Sequence, residues 1–175
     1  MPDSTYDETN SVWHNTFLGR PLVVGETAER TRTITQDDVD AFAKASGDYN
    51  PLHFDDAFIE DSTMFEGRIS HGGLIIGAIS EVGAQDIPGP GSVFLSVNWR
   101  FVAPVYIPDE VVSRIEVLEV RHDKPIAKLK QTVTRSDGQV VLDGEVLTYM
   151  SPRKSLLAAA EAAQGSSVGR GLSLP

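Results

Sequence analysis

Gly72-Gly73-Leu74-Ile75-Ile76-Gly77-Ala78-Ile79-Ser80-Glu81-Val82-Gly83 is the stretch whose reading decides the fold. Its residues are small or aliphatic almost all round, and a helix apolar on every side is a buried helix. The glycines lower intrinsic helicity, so close packing or close approach of a ligand must compensate. Downstream the pattern changes. Residues 92–101, 110–121, 126–135 and 139–150 are rich in Val, Ile, Thr and aromatics, as strands are. Asp137-Gly138 between the last two is a hairpin turn signal. Upstream, residues 31–34 read as a short strand. Thr35-Gln36-Asp37-Asp38 then forms a capping box for a helix with Val39, Phe42 and Ala43 on one face. That helix ends at Gly47, and a second runs from 51 to about 60. Helices first, antiparallel strands after and one buried helix predict an α+β fold, its sheet wrapped around residues 72–83.

Between the first two helices lies Ser46-Gly47-Asp48-Tyr49-Asn50-Pro51-Leu52-His53. Asn50 reads as an N-cap and Pro51 as the first helical residue. The proline biases Asn50 toward extended geometry, which leaves Asp48 on the incoming loop. His53 falls in the first turn, where the positive end of a helix dipole disfavours imidazolium. Activation of water needs an acid–base pair, and one loop presents both groups.

Gly47-Asp48-Tyr49-Asn50-Pro51-Leu52-His53 resembles the hydratase-2 motif of the (R)-specific enoyl-CoA hydratases, the MaoC-like dehydratases. The likeness continues through 65–74, 89–95, 123–127 and 143–146, and covers roughly residues 19–150. The resemblance implies a hot-dog fold and a hydro-lyase that adds water reversibly to trans-2-enoyl-CoA, giving (R)-3-hydroxyacyl-CoA. It implies Asp48 and His53 as the catalytic pair, holding one water against Cβ, with the division of proton transfers between them left open. It makes the Gly72 N–H the oxyanion donor, with Gly73 the fallback, because a helix N-terminus offers a fixed donor to a developing enolate. By the same resemblance Ser80 orients the catalytic carboxylate through a hydrogen bond. Asn50 is first a cap and a supporting residue, and His71 shapes the loop. Arg68 and Arg100 are the candidate cations for the substrate's phosphates.

Rival readings are a dehydratase of acyl-carrier-protein thioesters or of branched or carboxylated acyl-CoAs, and a non-catalytic acyl-thioester-binding subunit. Retention of both Asp48 and His53 argues against the last, since binding needs neither. A hot-dog thioesterase would need a differently placed acid and water.

At 175 residues the chain is expected to hold one domain, residues 19–150, after an N-terminal arm (1–18) anchored by Trp13, Phe17 and Leu18. A flexible tail (151–175) is expected to follow, with a marginal helix at 156–163. A formal net charge of −10 without a basic run argues against nucleic acid as partner. The absence of cysteine excludes disulfides, thiolate metal sites and thiol catalysis. No metal signature is present, and no cofactor is expected beyond the thioester substrate. The apolar stretch 72–79 is too short to span a bilayer, and the polar, acidic opening is unlike a signal peptide, so a cytoplasmic protein is expected. A lone sheet of this kind has an open edge, so a homodimer, or an oligomer of dimers, is expected.

Overall fold

The computed structural model describes residues 11–154. Five antiparallel strands, β1 (Thr27–Ile34), β2 (Ser92–Phe101), β3 (Asp109–Val120), β4 (Ile126–Arg135) and β5 (Val140–Met150), form one sheet in the order β1-β3-β4-β5-β2. Helix α1 (Gln36–Ser46), the short α2 (Asp56–Ser62) and α3 (Gly72–Gln85) precede all strands but the first. The sheet packs on α3, which contacts β1, β2, β3 and β4. This is the expected α+β arrangement.

Alternation along β3, β4 and β5 supplies the inner face: Val111, Ile115, Val117, Leu129, Val133, Leu142 and Val146 are buried beneath Ile75, Ala78, Ile79 and Val82 of α3. Ile79 is wholly inaccessible to solvent. Its loss to alanine should cost about 2–5 kcal/mol by transfer and cavity terms together. No helix among the described residues is long and apolar enough to cross a membrane.

The capping box is present: the Thr35 hydroxyl accepts from the Asp38 N–H, and the Asp38 carboxylate accepts from the Thr35 N–H. Helix α1 closes at Gly47 with φ +80°, a backbone that L side chains rarely adopt. Other expectations are corrected. The first strand begins four residues earlier, at Thr27 rather than residue 31. The helix expected from 51 to 60 is two pieces, a 3-10 turn at Pro51–His53 and then α2, because Asp55 caps a new helix with its carboxylate on the Phe58 N–H.

Of the three apolar anchors, Trp13 is inaccessible and donates its indole N–H to the Arg121 carbonyl at 3.0 Å. Leu18 packs partly against the core, but Phe17 is half exposed. Thr16 pairs with Pro152, tying the start of the described chain to the end of β5. The helix expected at 156–163 lies outside the described residues.

Candidate active site

The loop that leaves α1 is built by short-range hydrogen bonds. Ser46 Oγ donates to the Phe42 carbonyl and accepts the Asp48 N–H. Asp48 Oδ1 then accepts the Asn50 N–H at 3.2 Å, and Asn50 Oδ1 caps the 3-10 turn on the Leu52 N–H at 3.1 Å. Each is the local bonding that Ser, Asp and Asn favour over helix continuation. The outcome is a half-exposed Asp48 carboxylate on the loop and a His53 that is 7% exposed at the end of the turn.

A second segment, Ile69 to His71, closes over the first: the Ile69 N–H bonds the Leu52 carbonyl at 3.1 Å. His53 Nδ1 lies 2.7 Å from the Ile69 carbonyl oxygen. A carbonyl only accepts, so Nδ1 carries the proton, and in the neutral ring Nε2 keeps its lone pair. Burial lowers the His53 pKa below its ordinary value. The Ile69 hydrogen bond opposes this, neighbouring His71 reinforces it, and Asp48 opposes it weakly. The neutral ring expected from the sequence is therefore favoured, but burial is the leading cause. A three-residue turn has little dipole to contribute.

His71, 2% exposed, stacks on His53 with ring centroids 3.7 Å apart and packs against Phe42 at 4.8 Å. Its Nε2 donates to the Asp48 carbonyl at 2.9 Å and lies 4.0 Å from the Asp48 carboxylate. His71 thus holds the main chain of Asp48 in place, in keeping with the loop-shaping role expected of it. The ligand-capable atoms of Asp48, His53 and His71 all fall within 4.8 Å of one another. A metal ion must lie in the plane of each imidazole it binds, at about 2 Å from nitrogen. Stacked rings tilted by only 35° do not share such a point, so the trio fits proton chemistry better than metal ligation.

Helix α3 starts beside this cluster, with His71 as N-cap residue but no side-chain cap. The first-turn N–H groups of Gly72 and Gly73 face outward from a 14-residue helix, where donors are unpaired and the dipole is positive. A Cβ on Gly73 would run into the Phe42 ring, so this glycine is needed for α1 to pack on α3. Gly72 is more open: a Cβ there would sit 3.2 Å from Phe101 Cζ, inside a cavity of about 350 Å³. The walls of that cavity, among them Phe65, Ile75, Phe101 and Val105, are mainly apolar.

The structure therefore brings Asp48, Asn50 and His53 together with His71, and α3 begins at the next residue, Gly72. It does not bring Ser80 to Asp48. Ser80 lies eight residues beyond Gly72, about 12 Å along the helix at 1.5 Å per residue, and lines a different cavity. The carboxylate hydrogen bond expected of Ser80 is not formed within the chain. Arg68 is engaged, its Nε 3.0 Å from Asp56 and its Nη1 2.9 Å from Gln36 Oε1. Arg100 is mostly exposed, with one contact of 3.6 Å to Asp143. The Ile69 carbonyl that sets the His53 tautomer carries no signal in sequence, because any residue type supplies one.

Residues 23–139 match the MaoC like domain family. The chain belongs to that family. It is 39% identical over 129 residues to an (R)-specific enoyl-CoA hydratase of Aeromonas caviae, covering 74% of this chain and 96% of that one. It is 41% identical over 133 residues to a 3-hydroxybutyryl-CoA dehydratase of Methylorubrum extorquens, covering 76% of this chain and 83% of that one. The solved structure of the A. caviae (R)-hydratase involved in PHA biosynthesis superposes with a TM-score of 0.70 at 38% identity, over 74% of this chain and 98% of that one. The α+β architecture found here is the hot-dog fold of these MaoC-like proteins.

Proposed function

We propose that this MaoC-like protein is a hydro-lyase that reversibly adds water to trans-2-enoyl-CoA to give (R)-3-hydroxyacyl-CoA. The observation that supports the reading is the cluster of Asp48, His53 and His71, whose polar side-chain atoms lie within 4.8 Å of one another, with α3 starting at Gly72, the residue after His71, without a side-chain cap. Water held by Asp48 and His53 attacks Cβ of the enoyl group. As the Cβ–O bond forms, the π electrons move toward Cα and the thioester oxygen, where the Gly72 N–H meets the developing charge. The pair takes one proton from water and delivers one to Cα, and in the reverse direction the roles exchange. Delivery from one side gives syn addition.

Apolar walls beside Gly72 support an enoyl group seated there. A non-catalytic subunit would have no need of a buried imidazole whose tautomer is set by the Ile69 carbonyl. Arg100 neighbours the cavity-lining Phe101 and is less engaged than Arg68, so it is the better partner for a substrate phosphate.

The working unit is a two-fold dimer through β2. Edge strand β1 is guarded by charge, with Arg30 paired to Asp86 and Arg32 to Asp38. Edge strand β2 instead exposes Val93, Phe94, Val97 and Phe101, an apolar edge that folds cover or pair. A stable, active monomer in light scattering at dilute concentration would contradict the dimer.

Incubation with crotonyl-CoA and chiral analysis of the product tests the reaction. Hydration to (R)-3-hydroxybutyryl-CoA is expected, and an (S) product or no hydration would contradict it. The same assay with crotonyl-acyl-carrier protein distinguishes the two thioester carriers.

A further inference from the structure

Asp48 sits on residues 47–50, and their hydrogen bonds are almost all local. Among the described residues, one bond to this loop comes from a distant segment: His71, 23 positions away, donates from Nε2 to the Asp48 carbonyl at 2.9 Å. The others come from within four positions. Local bonds set the shape of a loop without fixing it on the rest of the molecule. The segment that carries His71 is itself anchored twice, by the Ile69 N–H on the Leu52 carbonyl at 3.1 Å and the Ser70 N–H on the Val105 carbonyl at 2.8 Å.

The faces of the His71 ring are used as well as its edge. Phe42 packs against it at 4.8 Å between centroids and His53 at 3.7 Å. A phenyl ring would suit such aromatic neighbours. It would also avoid the buried His71 Nδ1, which has no hydrogen-bond partner. An unpaired buried nitrogen costs stability, so the imidazole must supply something that a phenyl ring cannot. The N–H on the Asp48 carbonyl is that contribution. A glutamine could donate the same N–H but would offer His53 no ring face. An imidazole does both. His53 is then constrained at its edge by the Ile69 carbonyl and at its face by His71.

We propose that His71 is a positioning residue for the hydration reaction: one buried side chain that grips the Asp48 main chain and backs the His53 ring, so that the two groups acting on water keep a fixed separation. The proposal rests on the hydro-lyase reading given above. A consequence reaches the chemistry. Burial is the main cause of the lowered His53 pKa, and His71 adds to it. Asp48 and His71 are the titratable groups that face His53 from the two segments packed on it. Removal of the His71 ring therefore uncovers His53 and takes away one of the groups that lower its pKa.

Two substitutions separate the two contacts, each read as crotonyl-CoA hydration against pH with folding checked by melting temperature. His71→Phe keeps a ring face and loses the N–H, so kcat is expected to fall about tenfold, the scale of one hydrogen bond, with the acid-limb midpoint of kcat/KM unmoved. His71→Gln keeps an N–H for the carbonyl and loses the ring, so that midpoint should rise toward 6.5, the ordinary histidine value. Lower melting temperatures with wild-type kcat and midpoint in both folded variants would make His71 a packing residue only. That result would overturn the proposal and leave the hydratase standing. Histidine nitrogen NMR of the wild-type protein decides the matter even where neither variant folds. The proton of His71 is expected on Nε2, and a proton on Nδ1 alone would mean no bond to Asp48 and would overturn the proposal. No hydration by the wild-type protein would overturn both readings.

Discussion

At its first turn α3 offers backbone, and at its last turns it offers surface. Gly72 and Gly73 leave the helix start without a side-chain cap and without side chains, and the proposed reactive groups, Asp48 and His53, arrive on a loop and a 3-10 turn. Near the other end Ile79 and Val82 are wholly buried. A helix start has unpaired N–H groups and a positive dipole, so charge can develop there at little reorganisation cost. The helix body has its backbone satisfied and can only shape a cavity. On the proposed reading, the start of this one buried helix serves the reaction and its body packs the core.

Changes at the reacting end should be the most damaging. His53→Ala removes half of the acid–base pair and should lower kcat roughly 100- to 10,000-fold. Circular dichroism should show the fold retained, because the loop is held mainly by Ser46, Asp48, Asn50 and backbone groups. Gly72→Val comes next. The N–H survives, but the added carbons crowd Phe101 and the thioester's approach, so a loss of about 100- to 1,000-fold, the worth of one oxyanion donor, is expected. A glycine needed only for packing would instead lower the melting temperature and leave the rate per folded molecule intact.

One residue further, the balance reverses. Gly73→Ala pushes a methyl group into the Phe42 ring, and overpacking of this kind costs about 1–3 kcal/mol. Its signature is a lower melting temperature. A rate lost without any loss of stability would move the donor role from Gly72 to Gly73.

The smallest effect is that of pH. Burial holds the folded His53 pKa below 6.5, its value in the unfolded chain. Below pH 6.5 the unfolded chain therefore binds more protons than the folded one. Stability from this group is complete above that pH and declines as pH falls through the window between the two values. The acid limb of kcat/KM, which reports the free enzyme, should have its midpoint below 6.5. A midpoint above 6.5 would show that burial does not govern this ring.

Much of this was legible in the sequence because it is local. Strands 92–101 and 126–135 match β2 and β4 residue for residue, and the capping box and the Asn50-Pro51 turn depend on neighbours alone. What escaped depends on distant partners. The early residues of β1, Thr27 to Arg30, lack an apolar face and become a strand by pairing with β3. The break before α2 hides in a run of acidic residues, any of which could cap. Gln131 sits in an ordinary strand pattern, and only the fold shows that it points inward, with Trp99 on one end of its amide and nothing on the other. Ser80 shows the converse, a residue placed by motif that the single chain sets beside a different cavity and away from Asp48.

The central claim is that Asp48 and His53 act together on water. Its most direct test is the rate of crotonyl-CoA hydration by Asp48→Asn. This substitution keeps an oxygen to accept the Asn50 N–H and leaves untouched the carbonyl that accepts from His71. The account predicts a folded protein with an unchanged melting temperature and a turnover lower by roughly 100- to 10,000-fold. Near-wild-type hydration by that folded variant would contradict it.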